Sequence, residues 1–276
     1  MADVALVTCT RLPEGDIDDH LLVDALTRIG LTSAFVCWDD PDARWPVAGM
    51  ALVRSTWDYH ERLEGFLGWA DYVETVTRLR NNAATIRWNS HKGYLLDLEA
   101  KGVPIVPTRL VRAGAPEPLG DGEFVVKPAV SMGAERTSRH ATQADLDAIV
   151  ASDDALVQPY LRDIEARGEL SIVCVDGVVT HVVRKVPAAG DFRTQEHHGA
   201  AVEPIAVDDT HHECASRALA AVASLPLYAR VDVADTRDGL LLMELELIEP
   251  TLWLRWHPPA ADALAAATAA QLTRSG

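Results

Sequence analysis

Glu244 and Glu246, one residue apart in the otherwise apolar stretch LLLMELELIEP over 240–250, are the part of this sequence that most needs a chemical explanation. On a strand, alternate residues share a face, so the two carboxylates stand roughly 7 Å apart while Leu245 and Leu247 take the other side. Two like charges this close repel, and an apolar strand makes ionising both costly. A hard divalent cation such as Mg²⁺ resolves both problems. Asp232 lies on the preceding apolar segment. A three-residue turn at 237–239 would set it opposite Glu244, whereas a two-residue turn would send it to the other face.

A second set of residues suits phosphate. Lys127 ends the apolar run 124–126 and is followed by a small-residue loop with Ser131, Gly133, Arg136 and Thr137. A point charge and backbone N–H groups in such a loop can share phosphate oxygens. Residues 155–161, ALVQPYL, form an apolar segment broken by proline that can offer backbone groups to the edge of an adenine. Arg184, Lys185, Arg193 and Arg230 place cations in the same half of the chain as the acids. Taken singly each feature is commonplace, since strand-end lysines are usually solvated and cations beside acids are usually plain ion pairs. His197-His198 and His211-His212 are adjacent pairs, which neither a strand nor a helix aims at one metal. There is no G-x-x-x-x-G-K-[ST], no G-x-G-x-x-G and no G-x-S-x-G.

The elements that must position these groups change character along the chain. Strand-like segments at 4–9, 33–38 and 51–54 alternate with helical patterns at 18–29 and 63–80, which predicts a parallel sheet with helices packed on it. Ligands would then sit beyond the strand ends, at 8–11 and 55–59. After residue 88 the pattern shifts to a short helix following Asn89-Ser90, an extended 103–108 and a Pro/Gly-rich loop at 112–122. Beyond Phe124 strands dominate. Asp176-Gly177 and Asp238-Gly239 each separate two apolar runs, the pattern of antiparallel hairpins, and one helix is expected at about 211–224.

Composition narrows the function classes. The 276 residues carry 25 basic and 41 acidic side chains, a net charge of −16, without a basic stripe. Nucleic-acid binding rests on neutralising phosphates and is therefore not expected. No apolar run reaches the ~18 residues of a membrane span, so no membrane partner is expected. Four scattered cysteines suit free thiols in a reducing cytoplasm.

Lys92 (in Trp88-Asn89-Ser90-His91-Lys92), Lys127, the small-residue loop, residues 158–161, Arg230-x-Asp232 and Glu244-x-Glu246 together resemble, in order and spacing, the ATP-grasp superfamily. Ser55-Thr56-Trp57-Asp58-Tyr59 and the ending 244–250 are more narrowly similar to its actinobacterial branch around the cycloserine-forming cyclo-ligase, which acts on O-ureido-D-serine. The resemblance spans about residues 4–272. It implies an α/β then α+β chain: a Rossmann-like parallel-sheet domain over 1–88, then two α+β subdomains, 89–160 and 161–276, that clamp ATP between antiparallel sheets. It also implies roles. Lys92 and Lys127, with Ser131 and Gly133, would hold phosphates; Gln158, Tyr160 and Leu161 would form the adenine hinge; Glu169 would bond the ribose. Asp232, Glu244 and Glu246 would ligate Mg²⁺, with Mn²⁺ as the alternative metal. Arg184, Lys185 and Arg230 would stabilise the transferring phosphoryl group. Ser55, Thr56, Trp57, Asp58 and Tyr59, with Arg193, Gln195 and His198, would line a pocket for a small amino-acid-like substrate, its ammonium against Asp58 and its carboxylate against Arg193. His198-Gly199-Ala200 and the bulky 253–257 depart from the family's usual pattern. The activity implied is an ATP-dependent carboxylate–amine ligase or cyclo-ligase, cytoplasmic, with a homodimer as a compatible assembly. A phosphotransferase on the same site, or a non-catalytic nucleotide-binding protein, are the alternatives.

Overall fold

The computed structural model describes residues 2–45, 48–133, 135–186 and 201–273. β1 (Ala2–Thr8), α1 (Ile17–Arg28), β2 (Ser33–Cys37), β3 (Ala48–Ser55), α2 (Leu63–Val76) and β4 (Arg78–Arg80) build a parallel sheet of order β2-β1-β3-β4. Val4 to Val7 of β1 are wholly buried, as expected of a central parallel strand covered on both faces. The helix expected to run to residue 80 stops at Val76. Thr77 adopts an extended backbone and bonds the Ala48 carbonyl through its hydroxyl at 2.7 Å, and the next three residues join β3 as a strand. A three-residue strand is too short to show a period of two, and Leu79 also fits the helical pattern.

The chain then forms α3 (Ala83–Asn89) and α4 (Tyr94–Ala100), with Asn82 capping the first through the Thr85 N–H. A small antiparallel sheet follows, of order β5-β8-β6-β7, from β5 (Arg109–Val111), β6 (Phe124–Pro128), β7 (Ser138–Arg139) and β8 (Ala155–Pro159), backed by α5 (Gln143–Val150). After α6 (Asp163–Arg167) comes the larger sheet, of order β11-β10-β9-β12-β13. It comprises β9 (Glu169–Val175), β10 (Val178–Val186), β11 (Ala201–Ile205), β12 (Tyr228–Thr236) and β13 (Gly239–Glu246), with α7 (Asp209–Ala220) between β11 and β12. All its pairings are antiparallel. Asp176 and Gly177, at φ of 47° and 82°, make the expected two-residue hairpin between β9 and β10. Residues 103–108 do not become a strand, but Pro104 and Val106 bond Leu242 through their backbones and so cover part of the β13 edge.

The last helix, α8 (Pro259–Thr273), departs from a purely sequential division of the chain. It returns to pack on α1, and Arg78 Nη1 bonds the Gln271 and Leu272 carbonyls at its end. A second tie joins the first sheet to the acidic strand. The Tyr228 hydroxyl lies within 3.1 Å of the carbonyls of Val53, Arg80 and Ile248, from three different segments.

Candidate active site

The hairpin joining β12 and β13 decides which acids meet. Its turn holds only Arg237 and Asp238, since Thr236 pairs with Gly239, and a two-residue turn alone would place Asp232 opposite Met243. A bulge at Met243 supplies the missing residue. The ladder therefore pairs Asp232 with Glu244 and Arg230 with Glu246, all facing one side of the sheet. Leu245 and Leu247 are buried on the opposite face in the core of the larger sheet.

The free edge of β13 is closed by side chains from the helices before it. Asn89 Nδ2 donates to the Leu245 carbonyl at 2.7 Å, and the Leu247 N–H donates to Asn89 Oδ1 at 2.8 Å. The Leu245 N–H donates to Tyr94 Oη at 2.8 Å. Asn81 does the same further on, bonding the Tyr228 and Leu247 carbonyls and the Leu227 N–H. Asn89 lines the cleft between the two antiparallel sheets, while Asn81 lies away from it. Both amides hold the acidic strand in register by standing in for a neighbouring strand.

A cleft of about 690 Å³ opens between the smaller antiparallel sheet and the larger one. Of the residues singled out from the sequence, Trp57, Tyr59, Lys92, Lys127, Ser131, Gly133, Gln158, Tyr160, Leu161, Glu169, Lys185, Arg230, Asp232, Glu244 and Glu246 line it. The acids are tied to cations across the cleft or across the ladder. Lys127 Nζ from β6 donates to Glu244 Oε1 at 2.6 Å. Lys185 bonds Glu169, its partner on β9, and lies 3.6 Å from Asp232. Arg230 bonds Asp232 through Nε and Nη2 at 2.8–3.1 Å and Glu246 through Nη2. Gly168, at φ 78°, precedes Glu169. A Cβ there would lie 2.7 Å from the Lys185 carbonyl, so the Glu169–Lys185 approach depends on glycine.

Lys92 Nζ bonds the Ser131 carbonyl and thereby ties α4's leading residues to the small-residue loop. At the far end of the cleft the Tyr160 N–H is taken by the Glu123 carbonyl at 2.8 Å, whereas the Leu161 N–H has no partner among the described residues. Gln158 donates from Nε2 to the Thr108 hydroxyl at 2.9 Å.

Four expectations need correction. Arg184 alternates with Lys185 along β10, so its side chain falls on the opposite face of the sheet, where it meets Glu203 at 3.5 Å. Ser55, Thr56 and Asp58 do not line the cleft. Ser55 bonds Asp19, Thr56 is fully buried, and Asp58 is buried against Trp38 Nε1 at 3.0 Å and Arg62 at 2.7 Å. Asp58 cannot meet a substrate ammonium. Arg193, Gln195 and His198 lie outside the described residues.

The metal set is also narrower than expected. Among the described residues no three His, Cys, Asp or Glu groups come together to hold a metal ion. Asp232 is saturated by Arg230, Lys185 and the Ser171 hydroxyl, and its side chain is only 4% exposed. Glu244 and Glu246 keep 26% and 29% of their side-chain surface open. Two open carboxylates fit a Mg²⁺ that takes its other ligands from phosphate oxygens and water.

Sequence reasoning missed Glu249, which also lines the cleft just past the end of β13. Burial pushes Glu246 up to about 7, against the pull of Arg230, with Asp232 and Glu244 adding to the rise. Burial and the charge of Glu246 push Glu249 up to about 8. Burial also disfavours ionised Glu244, but Lys127 and Lys92 outweigh it and hold the group at about 2. Asp232 is likewise held at about 2, because Arg230 and Lys185 outweigh its burial.

Comparison with known proteins adds an independent line. Residues 4–81 match the family described as the N-terminal domain of D-cycloserine synthetase DcsG, and residues 130–250 match the RimK-like ATP-grasp domain. The cycloserine biosynthesis protein DcsG of Streptomyces lavendulae is 30% identical over 314 aligned positions that span 99% of both chains. The crystal structure of D-cycloserine synthetase DcsG superposes with a TM-score of 0.86 at 28% identity, over 98% of this chain and 99% of that one. The ATP-grasp ligase PsnB, solved with a minimal precursor, Mg and ADP, shares the fold at a TM-score of 0.63 and 16% identity, over 96% of this chain and 98% of that one.

The charge pattern predicts an unusual pH response of stability in the absence of nucleotide and metal. Asp232 and Glu244 contribute stability that is present above the ordinary carboxyl range and lost as pH falls towards 2. Glu246 and Glu249 act oppositely: the folded protein keeps protons that the unfolded chain releases near 4.5, so stability falls as pH rises towards 7–8. The Tm should be higher at about pH 5.5 than at about pH 8, and Glu246→Gln with Glu249→Gln should flatten that slope. A wild-type Tm that rises across this window would contradict the assignment.

Proposed function

Since the chain belongs to the ATP-grasp family and matches its cycloserine-synthetase branch from end to end, we propose that it is an ATP-dependent ligase that activates the carboxylate of a small amino-acid-like substrate. The observation that carries this reading is the cleft itself. One wall presents lysines and a small-residue loop, the other an open pair of glutamates with Arg230 and Lys185 beside them.

A carboxylate is a poor electrophile. Its oxygen attacks the γ-phosphorus of ATP, ADP departs, and the resulting acyl phosphate carries a good leaving group. An amine nitrogen then attacks the carbonyl and phosphate leaves. Both steps need charge neutralisation and positioning and no side-chain nucleophile, which matches a cleft rich in cations. Lys92 and Lys127, with Ser131 and Gly133, would hold the phosphates. The Leu161 N–H and the carbonyls near Gln158 and Tyr160 would receive the adenine, with Glu169 towards the ribose. Glu244 and Glu246 would hold Mg²⁺, or Mn²⁺ in its place, which neutralises phosphate charge. Lys185 and Arg230 would steady the phosphoryl group in flight. Asp232 orients these two cations and reaches a metal only if Arg230 releases it.

The full-length match to DcsG favours an internal nucleophile, the nitrogen of a ureido amino acid such as O-ureido-D-serine, over a second amine. Holding both reacting groups in one molecule supplies a large part of the rate advantage.

Lys127→Ala should weaken ATP binding about tenfold or more, because a charge-assisted phosphate contact is worth ~1.5–3 kcal/mol. Calorimetry checks this, and unchanged affinity would place the phosphates elsewhere. Hydroxylamine added with Mg-ATP and O-ureido-D-serine should trap the activated carboxylate as a hydroxamate. Phosphate transfer to a stable product without hydroxamate would replace the ligase by a phosphotransferase.

A further inference from the structure

Two acids lining the cleft, Asp16 and Glu249, have no counter-charge among the described residues, and Asp16 is occupied in capping α1 through the Asp18 N–H. Glu169, Asp232, Glu244 and Glu246 each face a lysine or arginine, but among the described residues the half-buried Glu249 carboxylate makes no ion pair and meets only its own backbone N–H. Its backbone, by contrast, is fixed from two sides. Trp57 Nε1 donates to the Glu249 carbonyl at 3.4 Å, and Arg54 Nη2 donates to the Pro250 carbonyl at 3.0 Å. Arg54 is itself locked by Asp19 at 3.0 Å, with both side chains almost wholly buried. Glu249 thus stands where the first sheet meets the cleft, beside Trp57 and Tyr59. Lys92 and Arg230 act on it through space without touching it.

Withdrawing a carboxylate from water without a partner is costly. A chain that anchors the backbone here and leaves the side chain without a cation holds a carboxyl group that an incoming cation can draw into its charged form. On the carboxylate-activating reading given above, we propose that Glu249 binds the ammonium group of the amino-acid substrate and so sets its specificity. The carboxylate to be phosphorylated then points towards Arg230. An α-amino acid carries its two charges only one carbon apart, which matches an acid and an arginine facing the same small volume. Asp58, the acid first assigned to this task, is turned away from the cleft, so the role passes to Glu249. Its place past the end of β13 separates it from the metal-facing pair on the strand.

The test compares wild type, Glu249→Gln and Glu249→Asp in phosphate release with Mg-ATP. The substrates are a panel of D-amino acids, O-ureido-D-serine and the des-amino analogue of each. The expected result is a KM for the amino acid raised about tenfold or more in Glu249→Gln and partly rescued in Glu249→Asp. The kcat should stay within about threefold, the KM for ATP should be unchanged, and the des-amino analogue should bind wild type and variant alike. An unchanged amino-acid KM overturns the proposal alone, as does a wild type that prefers the des-amino acid. A fall in ATP or Mg²⁺ affinity in Glu249→Gln also overturns it, making Glu249 part of the metal site. A wild type that releases no phosphate with any carboxylate overturns the activation reading first, and this proposal with it.

Discussion

Four carboxylates cannot be drawn into one cleft unless something answers their charge, and the larger sheet is organised around that requirement. Lys185 is the ladder partner of Glu169, Arg230 of Glu246, and Asp232 of Glu244. Each acid or cation is therefore placed by the backbone hydrogen bonds of its strand before any side chain turns. Lys127 completes the set from the opposite sheet. Breaking such a pair by removing one member leaves a buried charge alone, which costs more than the pair contributes. The Met243 bulge is consequently not a local irregularity. Without it Asp232 would face a methionine, Glu244 and Glu246 would turn to the opposite side of the sheet, and Arg230 would lose its ladder partner Glu246.

The same arrangement suits the nucleotide site proposed for this surface. Lys127 and Arg230 rest on Glu244 and Glu246, the two most open of these four acids. On the proposed reading, a Mg-bound nucleotide would offer each group an exchange of the same sign: phosphate for the cations, metal for the acids. The electrostatic groups are thus already oriented before the substrates enter, and little reorganisation is left for the reaction. Asp232, with almost no open surface, is the fixed point of the network.

Much of this was legible in the sequence, and the reasons for the exceptions are physical. A period of two is enough to put Glu244 and Glu246 on one face, and the Asp-Gly at 176–177 is enough to fold β9 onto β10. Period two also warns that Arg184 and Lys185 cannot both face the cleft, but only the structure says which one does. The position of Asp232 depends on a bulge, which leaves no compositional mark. Ser55, Thr56 and Asp58 follow a strand end, where polar side chains divide between the ligand and the buried network of their own domain. Here Asp19 claims Ser55, Trp38 and Arg62 claim Asp58, and Thr56 is packed wholly inside. Asn81 and Asn89 read as ordinary helix-boundary residues, and their work as substitutes for a strand depends on contacts more than 140 residues away. Glu249 gave no signal beyond a charge beside a proline. It stands out only once the acids of the larger sheet are seen to have their cations and Asp16 its helix N-terminus.

The central claim is that this cleft moves a phosphoryl group onto a carboxylate oxygen. The most direct measurement follows that oxygen, using O-ureido-D-serine labelled with ¹⁸O in its carboxylate, turned over with unlabelled Mg-ATP in unlabelled water. Mass analysis of the released inorganic phosphate should find one ¹⁸O per phosphate, carried over through the acyl phosphate. Phosphate without label would mean that the oxygen came from water, and that the cleft hydrolyses ATP or transfers its phosphoryl group by another route.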